Sequence, residues 1–337
     1  MDGLTAGGPP MPPLPRRRLL LALPLSLAAP PGARAQAPAW PQRTVRIIVP
    51  FPAGAGTDLL ARAYAQRLSE LWGQAVVIEN RAGAAGIIGT EAASRAPRDG
   101  YTMLMANSSV LAIGPAINPN LPYDPLRGFD PVALVGSNDN ALVVRADSPH
   151  RSVADVVAAA RARPGALTYS SAGAGTSGHM AAEFFKQLAG IDITHVPYRG
   201  SPQALTDMLG GQVDMTMNTL NAVVAAVRNG QARALATTGA TRDPLLADVP
   251  TLAEVGYAGY EASGWLGFVV PAGTPPEIIA RMAESIQRVH ADAGFRDRIA
   301  GAGMRPIIST PEAFRAILAP ELARWRDVAQ RAGVKPE

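Results

Sequence analysis

Two stretches of this chain place small residues between an apolar strand and a helix start, an arrangement suited to holding an anion. The first runs Thr44-Val45-Arg46-Ile47-Ile48-Val49 into Pro50-Phe51-Pro52-Ala53-Gly54-Ala55-Gly56-Thr57-Asp58. The second runs Leu167-Thr168-Tyr169-Ser170-Ser171 into Ala172-Gly173-Ala174-Gly175-Thr176-Ser177-Gly178-His179. A helix start leaves its first N–H groups unpaired and carries the positive end of the helix dipole. One such loop suggests an anion site. Two suggest half-sites that close on a single small anion.

Several side chains around these loops have chemistry of their own. Asp58 falls where the first helix begins, and it can cap that helix, take a ligand ammonium group or shape the loop. Thr176 and Ser177 can cap the second helix, donate to an anion, or both. His179 beside Ser170 and Ser171 raises a Ser–His hydrolase, although no G-x-S-x-G elbow surrounds either serine. A buried structural histidine and a histidine lining a cleft are the other readings. Arg199 can grip a carboxylate bidentately or stand as a solvated turn residue. Asn107-Ser108-Ser109 follows a strand and opens another helix, so it can add hydroxyl and N–H donors to the same cleft.

Other patterns point away from chemistry. Gly173-x-Gly175-x-x-Gly178 matches the dinucleotide fingerprint, which also needs an acid at the end of the next strand to hold the ribose. That strand, Ile193 to Pro197, ends in Tyr198-Arg199-Gly200 without a carboxylate. No cofactor is therefore expected. His150, His179, His195 and His290 show no metal-ligand spacing, so no metal is expected either. Gly83-x-x-Gly86-x-x-Gly89 reads as a turn and close-packing device, and Trp265 as hinge packing or a cleft wall.

The chain has 337 residues, 47% hydrophobic and 17% charged, enough for two packed domains. Its first 35 residues differ from the rest. Arg16-Arg17-Arg18, the apolar run Leu19 to Ala29 and Ala33-Arg34-Ala35 make a secretory signal peptide cleaved near Ala35. Met11 is an alternative start, and Arg16-Arg17 before Leu19-Leu20 faintly resembles a twin-arginine signal. Four Arg and one Asp lie in residues 1–35, so +3 of the formal +4 belongs to the leader and the mature chain is near +1. That balance gives no nucleic-acid footprint. With no Cys, a disulfide scaffold, a thiolate metal site, a cysteine nucleophile and a lipidated N-terminal Cys are excluded. The expectation is a freely soluble exported monomer with no later segment able to span a bilayer.

The elements that must position these residues alternate from Thr44 onward. Strands are expected near 44–50, 75–79, 101–105, 131–136, 141–145, 167–171, 193–197, 213–217, 233–237 and 265–270. Helices are expected at 58–72, 152–162, 177–189, 201–210, 275–290 and 311–332. This is an α/β pattern with mostly parallel sheets. In the last helix Phe314, Ile317, Leu318, Leu322, Trp325 and Val328 form a core-facing stripe. The chain looks set to cross between domains near Ser137-Asn138-Asp139-Asn140 and again near Ser263-Gly264-Trp265. That divides it into 36–137 plus 264–337 and 138–263, with one loop in each, at the carboxyl end of a strand.

Over Trp40 to Gly333 the chain resembles the extracytoplasmic receptors of tripartite tricarboxylate transporters, also called the Bug family. The motifs that carry this are Pro50 to Asp58, Glu79-Asn80-Arg81, Pro97-Arg98-Asp99-Gly100-Tyr101-Thr102, Leu121-Pro122-Tyr123-Asp124-Pro125 and Tyr169 to His179. His195-Val196-Pro197-Tyr198-Arg199-Gly200, Asp248-Val249-Pro250-Thr251 and Pro271-Ala272-Gly273-Thr274-Pro275 complete the set, in the family's order and spacing. The resemblance implies a two-lobed periplasmic-binding-protein fold (a type II Venus flytrap with two crossover strands), no catalytic role, and membrane transporter subunits as partners. It implies that Phe51, Ala53, Gly54, Ala55, Gly56, Thr57 and Asp58 of one lobe hold a ligand carboxylate with Ser171, Gly173, Gly175, Thr176 and His179 of the other. The chain departs from the family in having Gly54-Ala55 where adjacent glycines are usual, in the Arg81 to Gly86 run, and in Asn218 where an Asp is common. The last puts recognition of an ammonium group in doubt. The expected function is a periplasmic receptor for a small carboxylate, aromatic, di- or tricarboxylate. An exported Ser/His hydrolase and an orphan sensor signalling to a membrane partner are the alternatives.

Overall fold

The computed structural model describes residues 7–11 and 40–334. The leader read at 1–35 lies, apart from residues 7–11, outside the described residues. From Thr44 the chain forms β1 (Val45–Val49), α1 (Gly56–Trp72), β2 (Val76–Asn80), α2 (Ile87–Ser94) and β3 (Thr102–Asn107). A π-turn (Ser109–Ile113) leads into α3 (Gly114–Ile117) and then β4 (Phe129–Asn138). Next come β5 (Asn140–Arg145), α4 (Val153–Ala162), β6 (Thr168–Ser171), α5 (Ser177–Ala189), β7 (Thr194–Pro197), α6 (Ser201–Leu209), β8 (Met215–Thr219), α7 (Leu220–Arg228) and β9 (Ala232–Thr237). The last elements are β10 (Gly264–Pro271), α8 (Pro276–Ala291), α9 (Ala293–Gly301), β11 (Arg305–Pro306) and α10 (Pro311–Ala332).

The strands make two sheets, one of six in the order β11-β4-β10-β3-β1-β2 and one of five in the order β7-β6-β8-β5-β9. Helices cover both faces of the first, which explains the near-continuous apolar run of β1. Val45, Ile47 and Val49 share one cluster with Leu60, Tyr64 and Leu68 of α1 and Met282 and Ile286 of α8. Ile48 points the other way, into a cluster with Leu104 and Val110. In α10, Phe314, Leu318, Leu322, Trp325 and Val328 are buried as their spacing requires, and Trp265 packs edge-on against Phe314 at 5.2 Å.

The expectation of mostly parallel sheets is corrected. Of the strand pairings among the described residues, β1–β2, β1–β3, β6–β7 and β6–β8 are parallel, whereas every pairing of β10, β5 and β11 is antiparallel. The reason is geometric. β1, β2, β3 and β4 run one way, and β4 passes at Asn138–Asn140 directly into the other sheet as β5. A strand arriving from the other sheet enters at the end where its neighbours finish and must run against them. β5 does so in the second sheet, and β10, returning after Ser263, does so in the first. The carboxyl ends of both parallel sets therefore sit at the two crossings. α2, α7 and α9 lie outside the expected helices, while the π-turn and α3 follow the helix start expected at Asn107-Ser108-Ser109; at α2 and α7 no side chain caps the N-terminus, which removes the usual start signal.

The crossings lie side by side. Asp139, between β4 and β5, is buried; it accepts hydrogen bonds from the Ser263 hydroxyl at 2.7 Å and from Arg305 Nη2 at 3.1 Å. Burial raises its carboxyl above the ordinary value, against the opposing pull of Ser263 and Arg305.

Candidate functional site

Where the strand ends of the two sheets meet lies a cavity of about 140 Å³. Phe51, Ala55, Gly56, Thr57, Asn107, Ser108, Ser109, Asn138, Leu266 and Met304 line it from the six-stranded side. Ala172, Thr176, Ser177, Gly178, Ser201, Asn218, Thr219 and Asn221 line it from the five-stranded side. Four helices begin on this wall: α1 at Gly56, α5 at Ser177, α6 at Ser201 and α7 just before Asn221. No Lys, Arg, His, Asp or Glu is part of the lining. The positive potential here comes from helix ends and oriented N–H groups, which favour an anion without a cationic side chain.

Many of the lining donors are uncommitted. Among the described residues, the hydroxyls of Thr57, Ser108, Ser109 and Thr219 and the amides of Asn138 and Asn221 make no hydrogen bond, and Asn221 Oδ1 is buried without a partner. Of these only Asn221 Oδ1 is sealed from solvent; the other hydroxyl and amide groups open into the cavity, where a polar guest can meet them. Asn218 also lines the cavity, but its amide is committed. Its Oδ1 accepts from the Ser201 hydroxyl at 2.7 Å and from Thr219 N–H at 3.0 Å, pinning the starts of α6 and α7.

The first loop is braced from behind. Asp58 is the third residue of α1 and is buried; Ala55 is the N-cap, with no side-chain cap, so the capping reading of Asp58 is corrected. Its Oδ2 accepts from Gly54 N–H at 2.8 Å and Arg62 Nε at 2.9 Å, and its Oδ1 from Asn80 Nδ2 at 2.9 Å. Burial alone would raise this carboxyl, but the Arg62, Gly54 and Asn80 hydrogen bonds outweigh it and hold it below the ordinary value. Gly54 needs its glycine, with φ at +83°, while Ala55 at φ −67° is extended backbone open to any residue. The alanine departure therefore carries no strain. Ala53 and Gly54 are exposed and stand outside the cavity lining.

The second loop is braced by rings. His179 Nδ1 accepts from Gly175 N–H at 3.0 Å, and the His179 and His195 rings stack at 4.0 Å. Ser171 Oγ contacts His195 Nε2 at 2.8 Å and accepts from Gly173 N–H at 3.2 Å. Burial pushes both imidazoles down, His179 to about 4 and His195 to about 3, so both are neutral at pH 7. Thr176 caps α5, accepting His179 N–H at 3.4 Å and donating to Gly173 O at 2.7 Å. Of the residues anticipated here, Thr176 reaches the cavity, Gly175 lines an adjoining one, and Ser171, Gly173 and His179 lie behind the wall. Arg199 is exposed and outside the lining.

Asn107 and Ser177, anticipated as donors, line the cavity, whereas reading the sequence missed Asn138, Ala172, Gly178, Ser201, Thr219 and Asn221, as well as Leu266 and Met304. Ala172 and Gly178 belong to the second loop, so proximity could have flagged them. Gly178 has a packing reason to be glycine, since a Cβ there would lie 2.3 Å from Met217 O. Asn221 had no local signal. It reaches the cavity only because the start of α7 is set against Gly56 and Gly303, where a Cβ on either would meet its side chain within 2.8 Å.

Residues 60–334 match the tripartite tricarboxylate transporter family receptor. The chain is 37% identical over 305 residues to Protein BugT of Bordetella pertussis, covering 90% of this chain and 94% of that one. An R. palustris protein solved with adipate is similar with a TM-score of 0.83 and 37% identity, over 88% of this chain and all of that one. MatC from Rhodopseudomonas palustris, solved with bound malate, follows with a TM-score of 0.78 and 30% identity, over 86% of this chain and 99% of that one. The two sheets joined by β4–β5 and β10 are thus the lobes of a periplasmic-binding-protein fold. With a match over most of its length and the same architecture, this chain belongs to the tripartite tricarboxylate transporter receptor family, the Bug proteins.

Proposed function

We propose that this chain is a periplasmic receptor that captures a small carboxylate between its lobes and delivers it to a membrane transporter. The observation that carries the reading is the neutral wall of uncommitted donors at which four helices begin. The lobes divide as 36–137 plus 264–337 and 138–263, with residues 1–35 exporting the chain. Phe51, Ala55, Gly56, Thr57, Ser108, Ser109, Thr176 and Asn218 contribute to the wall, joined by Asn138, Thr219 and Asn221. Gly54, Asp58, Ser171, Gly173 and His179 act from behind it by holding the two loops in shape. Hydrogen bonds to a charged group are worth roughly 1.5–3 kcal/mol each, and a helix end adds about 0.3–1 kcal/mol. Four or five such contacts cover the ~8 kcal/mol of a micromolar complex and part of the ordering cost. Lobe closure around the anion then favours the closed population.

Calorimetry of the mature chain against small carboxylates tests this. A bound carboxylate should lose about tenfold or more in affinity in a Thr57→Ala, Thr219→Ala double variant. Absence of binding by every carboxylate tried would overturn the reading. The contact between Ser171 Oγ and His195 Nε2 favours the hydrolase alternative. Against it, Ser171 is wholly buried and burial makes the ring a poor base. Ester turnover abolished by Ser171→Ala would reinstate it.

A further inference from the structure

A second cavity, of about 190 Å³, adjoins the first, and Ser109 lines both. Its character is different. Ala84, Ala85 and Ile87 form one side, Ile117 and Tyr123 another, and Ala174 with Gly175 belongs to the opposite lobe. No charged side chain lines it. The Tyr123 hydroxyl is committed, donating to Val110 O at 2.8 Å, and Asn118 Oδ1 accepts from Asn120 N–H at 2.9 Å, which leaves the Asn118 side-chain amide N–H and the shared Ser109 hydroxyl as its open side-chain donors. Ile87 opens α2 on the rim, but its N–H is closed on Ala84 O.

We propose that the ligand is a monocarboxylate with a compact apolar body, its carboxylate in the donor-lined cavity and its body in this second one. The inference rests on the carboxylate reading above. A ligand spanning both spaces would meet N–H and hydroxyl donors at one end and methyl, isoleucine and aromatic surface at the other. A second carboxylate placed there would face no cation and only these two side-chain donors, and would carry most of its desolvation cost uncompensated. The walls come from both lobes. A Cβ at Gly175 would sit 3.5 Å from Ile117 Cδ1, so the second-lobe loop closes directly over this first-lobe side chain. Ala84 and Ala85 hold φ of +46° and +52°, a left-handed backbone that glycine would take more readily. Their methyl groups add to the apolar side of the cavity at the cost of that backbone strain.

The test uses length-matched probes on the mature chain: acetate, which needs only the first cavity, hexanoate, benzoate and adipate. Hexanoate or benzoate should bind at least tenfold more tightly than adipate. Ile117→Asn should cut that affinity tenfold and leave acetate binding unchanged, with Ile87→Asn as a second variant at a part-exposed site. Adipate binding more tightly than hexanoate and benzoate would overturn the inference while leaving the carboxylate reading intact. Equal affinity of wild type and both variants for hexanoate would do the same. If none of the four probes binds, the carboxylate reading itself fails and this inference with it.

Discussion

The two small-residue loops look alike in sequence and are held by opposite means. The 51–58 loop is tied by a charge: buried Asp58 gathers Gly54 N–H, Arg62 and Asn80 around one carboxylate. The 171–179 loop is tied by neutral rings, with His179 accepting Gly175 N–H and stacking on His195. Both leave helix-start N–H groups facing the cavity. Yet one brace works only while ionised and the other only while unprotonated. Similar anion-facing geometry thus arises from chemistries that respond differently to pH.

Removing the charged brace should have the largest effect. Asp58→Ala leaves Gly54 N–H, the Asn80 amide and Arg62 without their shared acceptor, and is expected to cost about 3 kcal/mol by denaturant unfolding. Ligand affinity should fall with it, as the loop loses its shape.

Acid should discriminate the braces next. The histidine pKa values are lowered by folding, so between pH 6.5 and about 4 the unfolded chain binds more protons than the native one, and stability falls as pH falls. The contribution is whole above pH 6.5; His179 alone accounts for roughly 3 kcal/mol of loss by its folded value. The Asp58 contribution, with its carboxyl held below the ordinary value, persists through this window and disappears only in stronger acid. His179→Phe keeps a ring in the stack but removes the acceptor of Gly175 N–H. It should lose about 1–2 kcal/mol at pH 7 and show a flatter profile from pH 6.5 to 4, read by melts across that range. An unchanged profile would mean that the ring does not set the acid response. His290, also depressed by burial, stays in both proteins and cancels in the comparison.

The smallest effect belongs to Arg62→Ala. Its side chain is half exposed, and water replaces much of what it gives Asp58. A loss of about 0.5 kcal/mol is expected, with Asp58 still held by Gly54 and Asn80. A loss as large as that of Asp58→Ala would show the ion pair, rather than the carboxylate's hold on the loop, to be the important element.

What could be read from the chain was local. The strand–loop–helix repeats, the α10 stripe and the abrupt passage from β4 into β5 each depend on residues a few positions apart. Strand direction at the crossings did not follow from such signals, because it depends on which sheet a strand enters and from which end. The donors divided in the same way. Asp58, Ser171, His179 and Arg199 have the residue types for ligand contact, but whether a group is already paired depends on neighbours far along the chain. His195 and Asn80 occupy two of them. Asn138, Thr219 and Asn221, unremarkable in their own segments, keep free amide and hydroxyl groups at the shared wall.

By itself, then, the order of residues determined two helix starts with small-residue approaches and the α/β pattern that carries them, since backbone sterics and hydrophobic period act over short range. The tertiary structure decided which polar groups remain open to a guest and that an apolar space lies next to them. Both are properties of surfaces assembled from distant segments, and hydrogen-bond saturation and cavity shape exist only once those segments have met.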